Sequence, residues 1–97
     1  MNVGICKVKM RLPDNASLKD KRQILKSLLG RVRNRFNVAI AEVDDNDLWQ
    51  IATLGFVCVS NGTSHANEML SKVVDFIVST RPDAEVLDYE IEIVSAL

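Results

Sequence analysis

Hydrophobic residues follow two different spacings along this chain, and the order of those spacings constrains the fold more than any other feature. In residues 3–12 and 85–94, apolar and polar side chains alternate, which is typical of strands with one buried face. In residues 17–35 and 63–79, apolar side chains recur every three or four positions, which indicates amphipathic helices. The chain is therefore predicted to begin and end with a strand and to carry two helices between them.

Two further strands are predicted between the helices. Residues 37–43 and 48–60 are rich in apolar side chains, and the Asp-Asp-Asn-Asp turn at 44–47 joins them into a hairpin. The order β-α-β-β-α-β predicts a single domain, residues 1–97, of the α+β class with a ferredoxin-like fold. Right-handed crossovers place both helices on one face of a four-stranded antiparallel sheet with strand order 4-1-3-2, and the other face stays open.

The alternation also predicts which strand residues face the helices. We expect the inward side chains of the first and third strands to form the core together, with both cysteines as small buried apolar groups. In the last strand, Leu87 and Tyr89 are expected to point inward and Val86 outward. The other residues expected to face inward are Cys6, Val8, Met10, Leu12, Ala52, Leu54, Phe56, Cys58, Ile91 and Ile93.

Charge is distributed unevenly along the chain, although the net charge is only −1. Residues 1–36 hold ten of the twelve Lys and Arg side chains, and residues 37–97 hold eleven of the thirteen Asp and Glu side chains. Such an asymmetry between the two halves indicates either an anionic partner or charge compensation across the fold.

The first helix carries most of the unexplained positive charge. Residues 17–36 hold seven basic side chains and one acid, Asp20, and like charges at i,i+4 spacing destabilise a helix by roughly 0.2–0.5 kcal/mol per pair. Two interpretations stay open: a solvated face balanced by Glu68 and Asp75 of the second helix, or an anion-binding surface with RNA as its best candidate. The candidate nucleic-acid-binding residues are Lys19, Arg22, Lys26 and Arg33 in one stripe, with Lys21, Arg31 and Arg35 beside it.

A second basic row lies on the outward side of the first strand. Antiparallel pairing with the last strand places this row beside the acidic outward residues of that strand, so cross-strand ion pairs explain both rows. The basic residues are Lys7, Lys9 and Arg11, and the acidic ones are Asp88, Glu90 and Glu92.

The open sheet face is predicted to be a protein interface rather than an RNA-stacking platform. Stacking of the RRM type requires aromatic rings on the outward side of the central strands, and Phe56 shares the inward side. The outward residues of the third strand form a β-branched surface that favours a partner, with a second copy of the chain in a homodimer as one candidate. The candidate interface residues there are Ile51, Thr53, Val57 and Val59.

Trp49, the only tryptophan, is assigned either to that interface as an anchor or to a cover over one end of the core. It follows directly after the acidic turn at 44–47. That turn does not match a calcium-binding loop, because Leu48 or Trp49 would occupy the fifth ligand position. We therefore predict an ordinary turn.

The chemistry-bearing residues do not form a recognisable catalytic arrangement. His65 is the sole histidine and has no suitable nucleophile at a known spacing, and the two cysteines make no zinc pattern. The chain also lacks a glycine-rich nucleotide motif. We predict no catalytic residues, no metal site, no cofactor and no small-molecule substrate.

The sequence also predicts a cytoplasmic protein without membrane contact. No apolar run reaches about 18 residues, and the N-terminus lacks the apolar segment of a signal peptide. Two cysteines without a disulfide framework fit a reducing compartment.

Three segments resemble the YlxP-like family of small bacterial proteins of unknown function. They are SLKDKR at 17–22, RVRNRFNVAIAEVD at 31–44 and DLWQ at 47–50. The likeness extends over nearly the whole chain. It implies a ferredoxin-like fold, a bacterial origin and, in some genomes, genes for translation-initiation and ribosome-maturation factors nearby. It implies no activity and no catalytic residue.

Two functions follow from these observations. The first is a non-enzymatic RNA- or ribosome-associated protein that contacts phosphates through the first helix. The second is a protein-interaction or homo-oligomeric module that uses the open sheet face and binds no nucleic acid.

Overall fold

The six predicted elements occur in the predicted order in the computed structural model, which describes residues 1–97. The sheet has the order β2-β3-β1-β4, and every neighbouring pair is antiparallel, so the predicted ferredoxin-like topology is confirmed. The elements are β1 (Asn2–Arg11), α1 (Leu18–Arg35), β2 (Ala39–Asp44), β3 (Ile51–Ser60), α2 (Thr63–Thr80) and β4 (Glu85–Ser95).

The start of α1 is set by Ser17. This residue has extended backbone angles, and its Oγ accepts a hydrogen bond from the Asp20 backbone N–H at 3.1 Å. That bond satisfies one of the amides that the first turn leaves without an intrahelical partner. The cap therefore fixes the residue at which α1 begins.

The core lies between the helices and the inward side of the sheet. Seventeen buried hydrophobic residues from all elements except β4 form one cluster, and the predicted inward residues of β1 and β3 all belong to it. Cys6 and Cys58 are free and buried, and burial raises the pKa of the Cys6 thiol to about 11. The Cys6 thiol therefore stays protonated at neutral pH.

The inward side of β1 requires a glycine where α2 crosses the sheet. A Cβ atom on Gly4 would lie 2.9 Å from Leu70 Cδ1 and 3.0 Å from Cys58 Sγ, which is closer than nonbonded carbon contacts allow. A larger residue would require the Leu70 and Cys58 side chains to shift. Gly4 thus allows α2 side chains to pack closely against β1.

One prediction for β4 was wrong, because the strand contains a bulge. The register against β1 shifts between Lys9 and Met10, so Val86 pairs with Met10 and packs against the core, while Leu87 is 44% exposed. An extra residue in a strand reverses the side on which the following side chains point. Tyr89 pairs with Val8 on the helix side, but it is largely exposed because β4 is an edge strand.

Candidate nucleic-acid interface

The outer flank of α1 carries four exposed basic side chains that no carboxylate approaches within 4.0 Å. They occupy positions within about 60° of one another around the helix axis, at 100° per residue. We call this set the basic stripe: Lys19, Arg22, Lys26 and Arg33.

The acids expected to balance these charges from α2 do not contact α1. Glu68 pairs with Lys72 on its own helix at 3.0 Å, and the hydrogen bond and charge of Lys72 lower the pKa of the Glu68 carboxyl. Asp75 forms no ion pair. The interpretation of α1 as a face balanced by α2 therefore loses its two named partners.

Arg33 ties the C-terminal end of the stripe to the sheet. Its Nη2 donates a hydrogen bond to the Ile40 carbonyl oxygen at 2.8 Å, and Ile40 belongs to the edge strand β2. A cation on an edge strand blocks pairing with the strand of another molecule. The stripe therefore runs along the β2 edge. Lys19, Arg22 and Lys26, toward the N-terminus of α1, have no carboxylate partner.

Arg31 and Arg35 lie on the opposite flank of α1, over the aromatic rings between the helices. The Arg31 guanidinium lies 6.0 Å from the Phe76 ring centre, and that of Arg35 lies 5.2 Å from the same ring and 6.0 Å from Phe36. Cations over ring faces gain about 0.5–1 kcal/mol at exposed sites. These two arginines thus have a packing role, although both stay exposed.

Lys21, expected beside the stripe, does not belong to the surface, and this prediction was wrong. Its side chain is 1% exposed and points into the β2–β3 loop. The Nζ atom lies within hydrogen-bond distance of four backbone carbonyl oxygens and 2.8 Å from the Glu42 carboxylate. The carbonyls belong to Asp45 (2.9 Å), Asn46 (3.3 Å), Leu48 (2.6 Å) and Ile51 (3.0 Å).

This buried ammonium group organises the loop that joins β2 to β3. Glu42 Oε2 supplies the opposite charge 2.8 Å from Nζ, while the carbonyl oxygens accept hydrogen bonds from the ammonium group. Buried charges require both kinds of partner. The helical spacing contained a sign of this role, because Lys21 lies on the same arc of α1 as the buried Leu25, Leu28 and Val32.

The acidic turn closes around Lys21. Asp45 has a positive φ of 57°, its Oδ2 accepts the Thr53 hydroxyl at 2.5 Å, and the same oxygen lies 3.9 Å from Lys9 Nζ. No group of three or more His, Cys, Asp or Glu side chains is placed to hold a metal ion. Because the bond to Asp45 covers Thr53, this residue is only 3% exposed, and its assignment to an interface was wrong.

Trp49 projects from the same loop into solvent. Its side chain does not cover the core, since the residue is 51% exposed, and β3 begins only at Ile51. The backbone beneath the ring is held by Asn15, whose Nδ2 donates to the Trp49 carbonyl oxygen at 2.9 Å. The alternative in which Trp49 covers the end of the core is therefore wrong.

The open face of the sheet has an apolar part and a charged part. The apolar part is a groove of about 410 Å³ over β1, β2 and β3. The Val43 side chain covers Gly55 there, and its Cγ1 lies 2.8 Å from the position that a Cβ atom on Gly55 would occupy. Of the predicted interface residues, Val57 and Val59 are exposed and Ile51 is half-buried. The apolar lining residues are Ile5, Cys6, Ala39, Ile40, Ala41, Val43, Phe56 and Val57.

On the charged part of this face, the residues of β1 and β4 stand opposite one another as predicted, but the predicted ion pairs do not form. Lys7 and Lys9 stand opposite Glu90 and Asp88, but neither pair closes to 4.0 Å. Arg11 pairs with Glu85 at 2.7 Å instead of the predicted acids, and Glu92 stands opposite Ile5. The register shift in β4 explains the change of partner for Arg11.

His65 serves the start of α2. Its Nδ1 lies 3.0 Å from Ser60 Oγ, and the same hydroxyl accepts the Gly62 backbone N–H at 3.1 Å. These contacts tie the end of β3 to the first turn of α2. They include no third group that would orient the imidazole as in a catalytic triad.

Comparison with known proteins gives a family and a fold. Residues 3–91 match the family described as Protein of unknown function (DUF503). The chain belongs to this family. It is also 38% identical over 77 residues to "Uncharacterized protein YlxP" of Bacillus subtilis (strain 168), an alignment that covers 79% of this chain and 84% of that protein.

Solved structures with the same fold differ widely in sequence. The de novo designed protein Foldit4 has a TM-score of 0.54 at 10% identity, with both chains fully covered. A dimeric ferredoxin-like protein from an uncultured marine organism has a TM-score of 0.53 at 6% identity over all of this chain and 99% of its own. A designed protein with a ferredoxin fold has a TM-score of 0.53 at 14% identity over 97% of this chain and 84% of its own. These likenesses concern the fold alone.

Within this DUF503 protein, neither helix is long and apolar enough to cross a membrane.

Proposed function

We propose that this protein is a non-enzymatic RNA-associated factor that contacts RNA phosphates through the basic stripe of α1. The observation that carries the proposal is the lack of any carboxylate within 4.0 Å of Lys19, Arg22, Lys26 or Arg33. Cations that a fold leaves unpaired on one helix face attract a polyanion and repel one another without it.

The rest of the charge distribution supports an oriented encounter. The stripe runs along the β2 edge, whereas the acidic outward residues of β4 lie at the opposite edge of the sheet. A polyanion is therefore attracted to one edge and repelled from the other, so a chain with a net charge of −1 still has a defined docking side. Contacts to phosphates position the protein on RNA and carry no base specificity.

The ribosome is the form of RNA that we favour. The support is the gene neighbourhood implied by the resemblance to the YlxP-like family, which is an association and not a mechanism. The geometry itself supports only the chemical class, a phosphodiester chain that lies along α1.

Co-sedimentation with isolated ribosomal subunits and with purified ribosomal RNA tests this proposal. Wild type is compared with a stripe variant, Lys19→Ala with Arg22→Ala and Lys26→Ala, and with a control variant, Lys7→Ala with Lys9→Ala and Lys72→Ala. Both variants change the net charge equally, and only the first changes α1. We expect the stripe variant alone to remain in the supernatant at low salt. Equal binding by both variants, or no binding by wild type, overturns the proposal.

A second candidate function is self-association through the open sheet face. It is favoured by the apolar groove and by the exposure of Val57 (37%) and Val59 (63%) next to it. A second copy is the proposed occupant, because a two-fold dimer places the same apolar patch on both sides of the interface. Sedimentation velocity of wild type and Val57→Asp tests it: a dimer that dissociates in the variant supports self-association, and a wild-type monomer at high micromolar concentration rules it out.

A further inference from the structure

The loop that carries the exposed Trp49 side chain is held against the first turns of α1, the end of the helix at which the basic stripe begins. Lys21 reaches from α1 to the carbonyl oxygens of Leu48 and Ile51, on either side of Trp49 along the chain. Lys21 is adjacent in sequence to Arg22 and two residues from Lys19, both of which are exposed. The free cations and the sole tryptophan therefore share one end of the molecule.

The backbone that carries this ring is fixed on both sides. Besides the bond from Asn15 to the Trp49 carbonyl, the Gln50 carbonyl oxygen accepts the Leu12 backbone N–H at 2.7 Å. Gln50 Nε2 also donates to the Asn15 carbonyl oxygen at 3.3 Å. An aromatic side chain on such a backbone loses little conformational entropy when it binds a planar ligand.

The immediate surroundings of the ring favour a flat, uncharged group and disfavour phosphate. The depression around it, about 380 Å³, is lined by residues 47–51, and Leu48 is the exposed aliphatic neighbour. Asp44 at the end of β2 and Asp47 in the following loop are exposed and repel phosphate. A nucleotide that binds here would therefore keep its phosphate on α1 and bring only its base to the ring.

We infer that Trp49 is a stacking platform for an unpaired RNA base, and that the RNA bound along α1 is single-stranded at this point. This inference rests on the proposed function and names the substrate class of the same surface. Every base has a face that stacks on an aromatic ring, and stacking is worth about 1–3 kcal/mol per base. In a duplex the base faces are already occupied by their neighbours, so only an unstacked base reaches Trp49.

The emission of Trp49 provides a direct test, because no other tryptophan contributes to the fluorescence. The probes are a single-stranded 12-nucleotide oligouridylate, the same length of RNA duplex, and inorganic polyphosphate, which supplies charge without bases. We expect the single strand to quench the emission at saturation, and polyphosphate to bind without quenching. Similar quenching by the duplex and the single strand contradicts the assignment.

Affinities of three variants separate stacking from other roles of the ring. Trp49→Ala should weaken binding of the 12-mer by about 5- to 150-fold, the range that corresponds to the stacking energy of one base. Trp49→Phe should retain most of the affinity, and Leu48→Ala, the matched control in the same loop, should change it less than twofold. The salt dependence of binding should be the same in all three variants, because none of them removes a phosphate contact.

Three further outcomes overturn the inference, and each has a different meaning. RNA binding without quenching and with unchanged affinity in Trp49→Ala leaves the phosphate surface intact and removes Trp49 from it. Loss of self-association in Trp49→Ala, with RNA affinity unchanged, assigns the ring to a protein contact. Absence of RNA binding by wild type removes the inference together with the proposed function.

Discussion

The inner and outer faces of α1 carry the same kind of side chain in opposite settings. Lys21, on the inner face, is 1% exposed, and five oxygen atoms surround its ammonium group. Lys26, five residues later on the outer face, is exposed and has no carboxylate within 4.0 Å. The comparison shows that the fold uses Lys21 for its own stability and leaves Lys26 without an acidic partner.

Replacement of the two lysines should give the largest difference in stability. Lys21→Ala leaves the Glu42 carboxylate, which is only 19% exposed, without its opposite charge and the loop carbonyls without a donor, so we expect a loss of about 3–5 kcal/mol in the free energy of unfolding. Lys26→Ala should change it by about 0.5 kcal/mol or less. Urea denaturation followed by circular dichroism measures both. Equal effects of the two substitutions contradict the distinction between the faces.

Two glycines extend the comparison to backbone packing. Gly4→Ala places a methyl group 2.9 Å from Leu70 Cδ1, and such overpacking should cost about 1–3 kcal/mol in the same denaturation experiment. Relief of the clash by Leu70→Val in the Gly4→Ala background should recover part of the loss. A stability equal to wild type in the Gly4→Ala variant contradicts the expected overpacking.

Gly30, on the outer face of α1, should respond in the opposite direction. Apart from its chain neighbours and the backbone of its own helix, no atom lies within 4 Å of the position that a Cβ would occupy, so close packing against another element does not explain this glycine. Alanine there should stabilise the protein by about 1 kcal/mol, because glycine is less favourable in a helix interior. Thermal unfolding measures the gain. A decrease in melting temperature contradicts the conclusion that no other element packs against Gly30.

The smallest expected effect concerns Glu68 on α2, which pairs with Lys72 of the same helix. The pKa of this carboxyl is lowered by Lys72, so the pair contributes stability above the ordinary pKa of glutamate and loses it as the pH falls through the lowered pKa. Lys72→Met should return the pKa toward its usual value in an NMR titration. An unchanged pKa in that variant assigns the shift to another group. Lys7→Met is the matched control, because Lys7 lies on the sheet.

The element order and the strand order were predictable from the sequence, because the two hydrophobic spacings are clear and the crossover rule leaves one arrangement. The inward side of β3, including Phe56, followed from alternation alone. In β4, one extra residue lies between the partners of Lys9 and Met10, so Val86 and Leu87 point to the sides opposite to those predicted. Alternation cannot reveal a bulge, since it depends on pairing with a distant strand.

The candidate site was predictable only in part. Helical spacing placed Lys19, Arg22 and Lys26 together, but the role of Lys21 depends on a loop whose carbonyl oxygens turn inward because Lys21 is there. Exposure of Trp49 depends on the same loop, which holds Trp49 outside the strand. The conformation of this loop and the position of the lysine are determined together, and neither can be read separately from the chain.

The salt dependence of RNA binding tests the central claim most directly. The claim is that the outer cations of α1 are available to phosphates. For wild type and a single-stranded 12-mer, contact with about four phosphates predicts a slope of about −3 for the logarithm of the association constant against the logarithm of salt concentration. The variant without Lys19, Arg22 and Lys26 should have a slope of about −1, and the control variant without Lys7, Lys9 and Lys72 should match wild type. A slope near zero for wild type, or equal slopes for the two variants, contradicts the claim.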